Sequence, residues 1–397
     1  MTAEVLPPPK ISVGPMAWLR ENLFSSVLSS LLTLVVGGLL LLVLLQVADW
    51  ALTEARWGVV TSNLRLFLIG QYPGDQAWRV WLSLAIISAL SGLSAGIYGA
   101  ATRTLGASLA AGQILIAVLA LASNLGWVAI AGLLVNAALV GVAFFASVRF
   151  RISRRLLVVL WLASLPVSFL LLSGLGTEAV PKVSTSLWGG LLLTFLLAIV
   201  GIVLSFPFGV LLALGRRSTL PAVRILSTVY IEVIRGVPLI TILFMADIML
   251  PLFLPGEVRL DRVLRAMGGI TLFSAAYVAE NVRGGLQAIP SGQGEAANAL
   301  GLSTAQTNIF IILPQALRAV IPANVGLFIS LLKDTTLVVI IGLLELLGIG
   351  RAVLAQTEWF GAQLEVYVFV AAVFFVMSYA MSQASYRLET AMGVGSR

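Results

Sequence analysis

Glu232, Arg235, Glu280 and Arg283 fall in two copies of one pattern, Glu-x-x-Arg-Gly, each inside an apolar run. Three-residue spacing sets each Glu beside its own Arg on one helix face. Charge inside a bilayer is costly, so a charged pair there points to function by default. Two readings stand: the pairs neutralise charge so that the helices insert, or they belong to a gate or solute path. Asp247 has no Lys or Arg three or four residues away. It is protonated, paired to another helix, or turned to a wet cavity. Asn324 lies in a run interrupted by Pro314 and Pro322, and Lys333-Asp334-Thr335-Thr336 ends that run. The tetrad suits an outer gate or partner contact, and equally a helix cap.

Other chemistries are excluded. The chain has no His and no Cys. It can therefore hold no His- or Cys-ligated metal, no thiol nucleophile and no Ser-His-Asp triad. We expect no catalytic residue and no metal site. Its three lysines, Lys10, Lys182 and Lys333, never follow Gly or precede Ser or Thr, so the phosphate-binding loop is missing. Any ATP used must be held by another chain. Of the 397 residues, 59% are hydrophobic and 10% charged, against about 45–50% and about 25% in soluble domains. The net charge of +7 then suits the inner loops of a membrane protein, not a nucleic-acid partner.

The elements that must position these residues are membrane helices. Ten apolar runs approach the ~20 residues a crossing needs: 24–48, 80–101, 106–123, 126–148, 156–174, 187–214, 225–253, 268–289, 310–332 and 364–386. The third and fourth are separated only by Asn124-Leu125-Gly126 and form either a broken helix or a hairpin. Segment 335–350, interrupted by Glu345, suits a re-entrant or interfacial helix. The expected class is all-α and polytopic. With both termini inside, the inner segments carry twelve Lys or Arg against four acids, and the outer segments nine of each. The basic run from Arg149 to Arg155 then lies inside, as Lys/Arg bias requires. Pro238 should kink the seventh helix. Counted along straight helices, Glu232 and Glu280 lie roughly 10–14 Å deep, where the two pairs could share a network.

The chain divides near residue 180. Residues 1–23 form a cytoplasmic tail. Residues 24–180 form an N-terminal accessory region of about five spans. Its outer loop, 49–79, carries Trp50, Trp57, Tyr72 and Trp78 as an interfacial belt. Gly92-x-x-x-Gly96 is a close-packing pattern, read first as ordinary small residues. Residues 187–390 hold the intramembrane charges.

Within them lies a cytoplasmic elbow. Pro290-Ser291-Gly292-Gln293-Gly294 is a loop of turn formers. Glu295-Ala296-Ala297-Asn298-Ala299-Leu300 is a short helix, Gly301 ends it, and Ser303 to Gln306 form a capping box. Leu313-Pro314 closes the element. Glu295-Ala296-Ala297, with Gly301 six residues after the Glu and then Ile311 and Leu313-Pro314, resembles the EAA loop of ABC importer permeases. Ala275 to Gly285, Arg235-Gly236-Val237-Pro238-Leu239 and Lys333-Asp334-Thr335 resemble the polar amino acid permeases. The extra N-terminal spans, with Ile69-Gly70-Gln71-Tyr72-Pro73, look like the long membrane subunits of general L-amino acid importers. Where that family usually carries Asn, this chain has Gly326, and Asn324 stands nearby.

The resemblance implies a five-helix importer permease core in 187–390 with a coupling loop at 290–310. Glu295, Ala296, Ala297, Gly301 and Leu302 would dock on an ABC ATPase dimer. That dimer would hold ATP-Mg, and this chain no cofactor. It further implies a second permease subunit, a periplasmic amino acid-binding protein, an amino acid substrate and a bacterial inner membrane. The substrate path would be sought at Glu232, Arg235, Asp247, Glu280, Arg283, Asn324, Lys333 and Asp334. The competing reading is a secondary transporter coupled to ions or protons through Asp247, Glu232 and Glu280, which leaves the elbow unexplained. A membrane enzyme lacks a convergent set of groups.

Overall fold

The computed structural model describes residues 14–123, 125–150, 152–178, 180–255 and 259–393. Expectations for the tail through residue 13, Asn124, Arg151, Glu257 and Arg397 fall outside them. The chain splits into two compact units, Met1–Trp57 and Gly58–Arg397.

The first unit is built on α1, Val27–Asp49, which Ser26 caps by accepting from the Ser29 amide. Its 23 residues span about 35 Å. It is apolar on every side and buries no residue, as a lipid-facing span does. Trp50 and Trp57 meet at its end, ring centroids 5.8 Å apart.

In the second unit, α2 (Trp78–Tyr98), α3 (Ala100–Leu121), α4 (Trp127–Phe150) and α5 (Arg154–Ser173) come first. The question at 106–126 resolves as two packed helices, α3 and α4. Gly92 and Gly96 bring α2 against α4. A Cβ on Gly96 would lie 1.7 Å from the Ser147 hydroxyl, and one on Gly92 2.2 Å from the Val140 carbonyl. The Gly-x-x-x-Gly pattern is thus a true close contact within the chain.

α6 (Gly190–Arg216), α7 (Pro221–Arg235), α8 (Leu239–Phe244) and α9 (Arg262–Ala288) follow. Then come α10 (Ser291–Ala299), α11 (Leu313–Ala319), α12 (Ile321–Asp334), α13 (Leu346–Leu354) and α14 (Gln363–Met392). α6 and α9 form the central pair. Leu193, Leu197 and Ala198 pack with Val263, Ala266, Met267 and Ile270 in one apolar cluster. Ala213, Val278, Ala279, Val282 and Ala316 build a second. Among the described residues no strand forms; two isolated bridges join Gly70 to Trp188 and Gly190 to Glu345.

Eight described helices are long and apolar enough to cross a membrane, nine if α7 and Leu239–Phe253 count as one broken span. α9 is left out by composition, not length. Its 27 residues reach about 40 Å, but it carries Arg262, Arg265, Glu280 and Arg283. It is enclosed by other helices, which supply the partners lipid cannot. The expected run 310–332 is shifted: it breaks into a π turn, α11 and α12, and the span there is Ile321–Ile341.

The expected kink at Pro238 is a break. α7 and the Leu239–Phe253 limb meet at 106°, because Pro238 has no amide hydrogen to continue the ladder. The run 225–253 is therefore not the single straight helix assumed above for Glu232. Segment 335–350 is not one helix. It runs as a 3-10 stretch to Ile341, turns at Gly342, and restarts as α13, where buried Glu345 accepts from the amides of Leu347 and Gly348.

The loop at 49–79 is more than a membrane-surface loop. Gly58–Ser62 and Leu64–Ile69 are short helices, the second packed on α6 and α13. Tyr72 is no belt residue: it is fully buried and donates its hydroxyl to the Leu172 carbonyl at 2.8 Å. Fully buried Arg79 donates to the Pro181 carbonyl. The first bond ties the outer loop to the end of α5, and the second ties α2 to the segment that leads into α6.

Candidate functional site

Three helices bring five charged residues together. Arg216 and Arg235 stand in the last turns of α6 and α7, where the helix dipole favours a cation. Glu232 lies on α7, and Glu280 and Arg283 lie about two turns before the end of α9. Arg216 contacts Glu232 at 2.8 Å and Glu280 at 3.5 Å. Arg235 contacts Glu280 at 3.5 Å, and its guanidinium lies over the Tyr277 ring, 5.6 Å from the centroid. Arg283 donates to both Glu280 oxygens.

The Glu280–Arg283 pair forms at three-residue spacing as expected. The Glu232–Arg235 pair does not. Arg235 is drawn across to Glu280, and Glu232 turns to Arg216. Arg216 is the residue that sequence reasoning missed. It was counted only as inner-loop charge, although its place at a helix C-terminus was a usable signal. The result is one network of three cations and two anions tying α6, α7 and α9 together. Glu280 lies at its centre.

The other path candidates lie elsewhere. Asp247 sits in a π turn, Met245–Met249, and is paired to another helix. Arg265 reaches its carboxylate at 3.1 Å and Arg262 at 3.3 Å, and Arg265 also donates to its carbonyl. Asn324 is buried and accepts from the Asn281 side-chain amide at 3.0 Å. Lys333 is exposed and Asp334 half-buried at the end of α12. The structure does not bring Asp247, Lys333 or Asp334 to the Glu280 network.

The elbow follows α9 directly. Its helix, α10, ends in a Schellman turn: the Leu302 amide bonds the Ala297 carbonyl, and the Gly301 amide bonds that of Asn298. Gly301 adopts φ +78°, a conformation that favours Gly. Ser303 and Gln306 then make both bonds of the capping box. Glu295, Ala296 and Gly301 are exposed, Ala297 is buried, Leu302 half-buried, and Leu300 is 82% exposed. Leu313-Pro314 does not close the element. The chain passes through a π turn, Thr307–Ile312, and Pro314 sits in the first turn of α11, where a missing amide hydrogen costs nothing. Among the described residues there is no group of three or more carboxylates able to hold a metal.

Residues 205–389 match the family model of binding-protein-dependent transport system inner membrane components. The Escherichia coli (strain K12) inner membrane amino-acid ABC transporter permease protein YhdY is 36% identical, over 96% of this chain and 94% of its own length. This chain belongs to the amino acid ABC transporter permeases. The permease is also 40% identical to BztC of Rhodobacter capsulatus, a glutamate/glutamine/aspartate/asparagine transport system permease, over 96% of this chain and 95% of that one. A crystal structure of an amino acid ABC transporter with histidines aligns with 51% of the permease and 92% of its own chain, at 31% identity and TM-score 0.46. The permease is a multi-pass inner membrane protein, a transport subunit and not an enzyme. Family membership sets aside the ion-coupled reading, and Asp247 is paired with two arginines.

Proposed function

We propose that this permease forms one half of the translocation path of an ATP-driven importer, completed by a second permease chain. Its elbow, with Glu295, Ala296, Ala297, Gly301 and Leu302, docks on an ATPase dimer that holds ATP-Mg. A periplasmic binding protein delivers the amino acid from the opposite side. Both termini and the elbow are cytoplasmic. Residues 24–180 are an accessory region and 187–390 the translocating core. The substrates are polar L-amino acids, with the acidic amino acids and their amides, named for BztC, as the first to try.

The observation that carries this reading is the elbow itself. A helix of nine residues, stopped by a Schellman turn and followed by a capping box, holds an exposed acid and an exposed leucine in fixed relation. Capping gives a short helix the rigidity that its length does not. α9 leads straight into α10, so force on the elbow acts on the helix that carries Glu280 and Arg283. We assign the five-residue network to the inner gate, moving with that helix. Asp247 with Arg262 and Arg265 fixes the outer end of the same helix. Asn324, Lys333 and Asp334 line the path or its outer mouth.

The test is radiolabelled glutamate and glutamine uptake into proteoliposomes. Uptake should require the partner ATPase, ATP and a binding protein. Uptake by this chain alone, driven by an ion gradient, would overturn the proposal.

A further inference from the structure

We propose that the end of the accessory bundle at the α4–α5 turn is a binding site for the headgroup of an anionic phospholipid. From Gln76 to Thr177 the chain has no Asp or Glu. In that stretch Arg103, Arg149, Arg154 and Arg155 are exposed, and they come from α3, the end of α4 and the start of α5. None of them takes part in the ion pairs of the described residues. Three lie against aromatic rings instead. Arg103 stands 5.6 Å from the Phe144 centroid, Arg149 5.9 Å from Phe150 and Arg154 5.9 Å from Tyr98.

Inner-side Lys/Arg bias explains why arginines occur at this end. It does not explain their arrangement. Arg216, in the same class, finds two carboxylates; these four find none. Arg154 and Arg155 occupy the first turn of α5, where the helix dipole opposes a cation. The protein thus gathers cations from three helices with no ion pair to any of them among the described residues. Beside them, on the last turns of α4, Phe145, Val148 and Phe150 form an exposed apolar face, with Phe145 and Phe150 more than 70% exposed. Cations beside an exposed apolar face match a phosphate above acyl chains. Basic pockets between spans on the cytoplasmic side hold anionic headgroups in this way. A zwitterionic lipid carries its own ammonium and gains less. Alternation of the spans puts this turn on the same side as the elbow, so only the name of that side, cytoplasmic, rests on the docking reading.

The full chain, purified in mild detergent, is offered equal phosphatidylglycerol and phosphatidylcholine, and bound lipid is read by native mass spectrometry. We expect phosphatidylglycerol in about tenfold excess. R149Q/R154Q/R155Q should bring the two near parity. Arg→Lys at the same positions and Arg224→Gln should keep the excess. Should the triple variant fail to insert, R154Q/R155Q carries the same comparison, and the wild-type preference still decides. Equal binding by the wild type, or an excess unchanged in the variants, overturns the proposal. Displacement of the lipid by millimolar inorganic phosphate also overturns it, since the site would then take a free anion. None of these readouts depends on transport.

Discussion

Glu280→Gln is the sharpest perturbation of the inner network. Its carboxylate meets Arg283 and lies 3.5 Å from both Arg216 and Arg235, with its side chain 22% exposed. Two unit charges 3.5 Å apart attract by about 5 kcal/mol at an effective dielectric of ~20. The amide loses three such attractions but no longer carries the several-kcal/mol desolvation of a carboxylate. Breaking a fully buried pair costs about 3–5 kcal/mol, and an exposed pair about 0–1. Glu280 lies between these limits, so a net loss of about 2–3 kcal/mol is expected. Glu232 has a side chain 55% exposed and, among the described residues, pairs with Arg216 alone, so Glu232→Gln should cost under ~1 kcal/mol. The assay is the unfolding midpoint of the purified chain in mild detergent, with a double-mutant cycle between Glu280→Gln and Arg216→Gln. Coupling of about 1 kcal/mol or more is expected. Zero coupling, or equal losses for Glu232→Gln and Glu280→Gln, would refute the network as drawn.

Gly301→Ala should destabilise the elbow by about 1 kcal/mol through its positive φ alone, since no atom lies within 4 Å of the added Cβ. ATP-driven uptake should fall while membrane insertion persists, and Gly301→Asn should be milder. Gly96→Leu should abolish accumulation of folded protein, because even a Cβ overlaps Ser147; normal yield in membranes would contradict the close α2–α4 contact. Asp247→Asn should lower the unfolding midpoint by the equivalent of about 1–3 kcal/mol, as Arg262 and Arg265 lose their carboxylate. The conservative Asp247→Glu should recover part of the loss.

Helix class, most spans and the elbow's helix ends were legible in the sequence because each rests on local rules. Apolar length marks a span, Gly301 marks a helix end, and Ser303 with Gln306 marks a cap. What sequence did not give was pairing between helices. Three-residue spacing correctly joined Glu280 to Arg283 and wrongly joined Glu232 to Arg235. Tertiary neighbours offer Arg235 a second carboxylate and an aromatic ring, and local spacing cannot weigh those. Asp247 looked unpartnered for the same reason: its arginines lie on another helix. Pro238 signalled a bend, but its size, 106°, is set by how α7 packs on α6 and α9. Tyr72 and Arg79 read as an outer-surface residue and loop charge. They bond to the end of α5 and to the segment after it, about a hundred residues away in sequence.

The central claim is that energy reaches this permease through its elbow. The most direct test is Glu295→Lys in the complete transporter, with ATPase co-purification and ATP-driven amino acid uptake measured on the same preparation. Glu295 is exposed, and among the described residues its side chain makes no hydrogen bond or ion pair, so the variant should insert normally. The account predicts that the ATPase no longer co-purifies and that uptake is lost. Normal insertion with normal co-purification and uptake would contradict it.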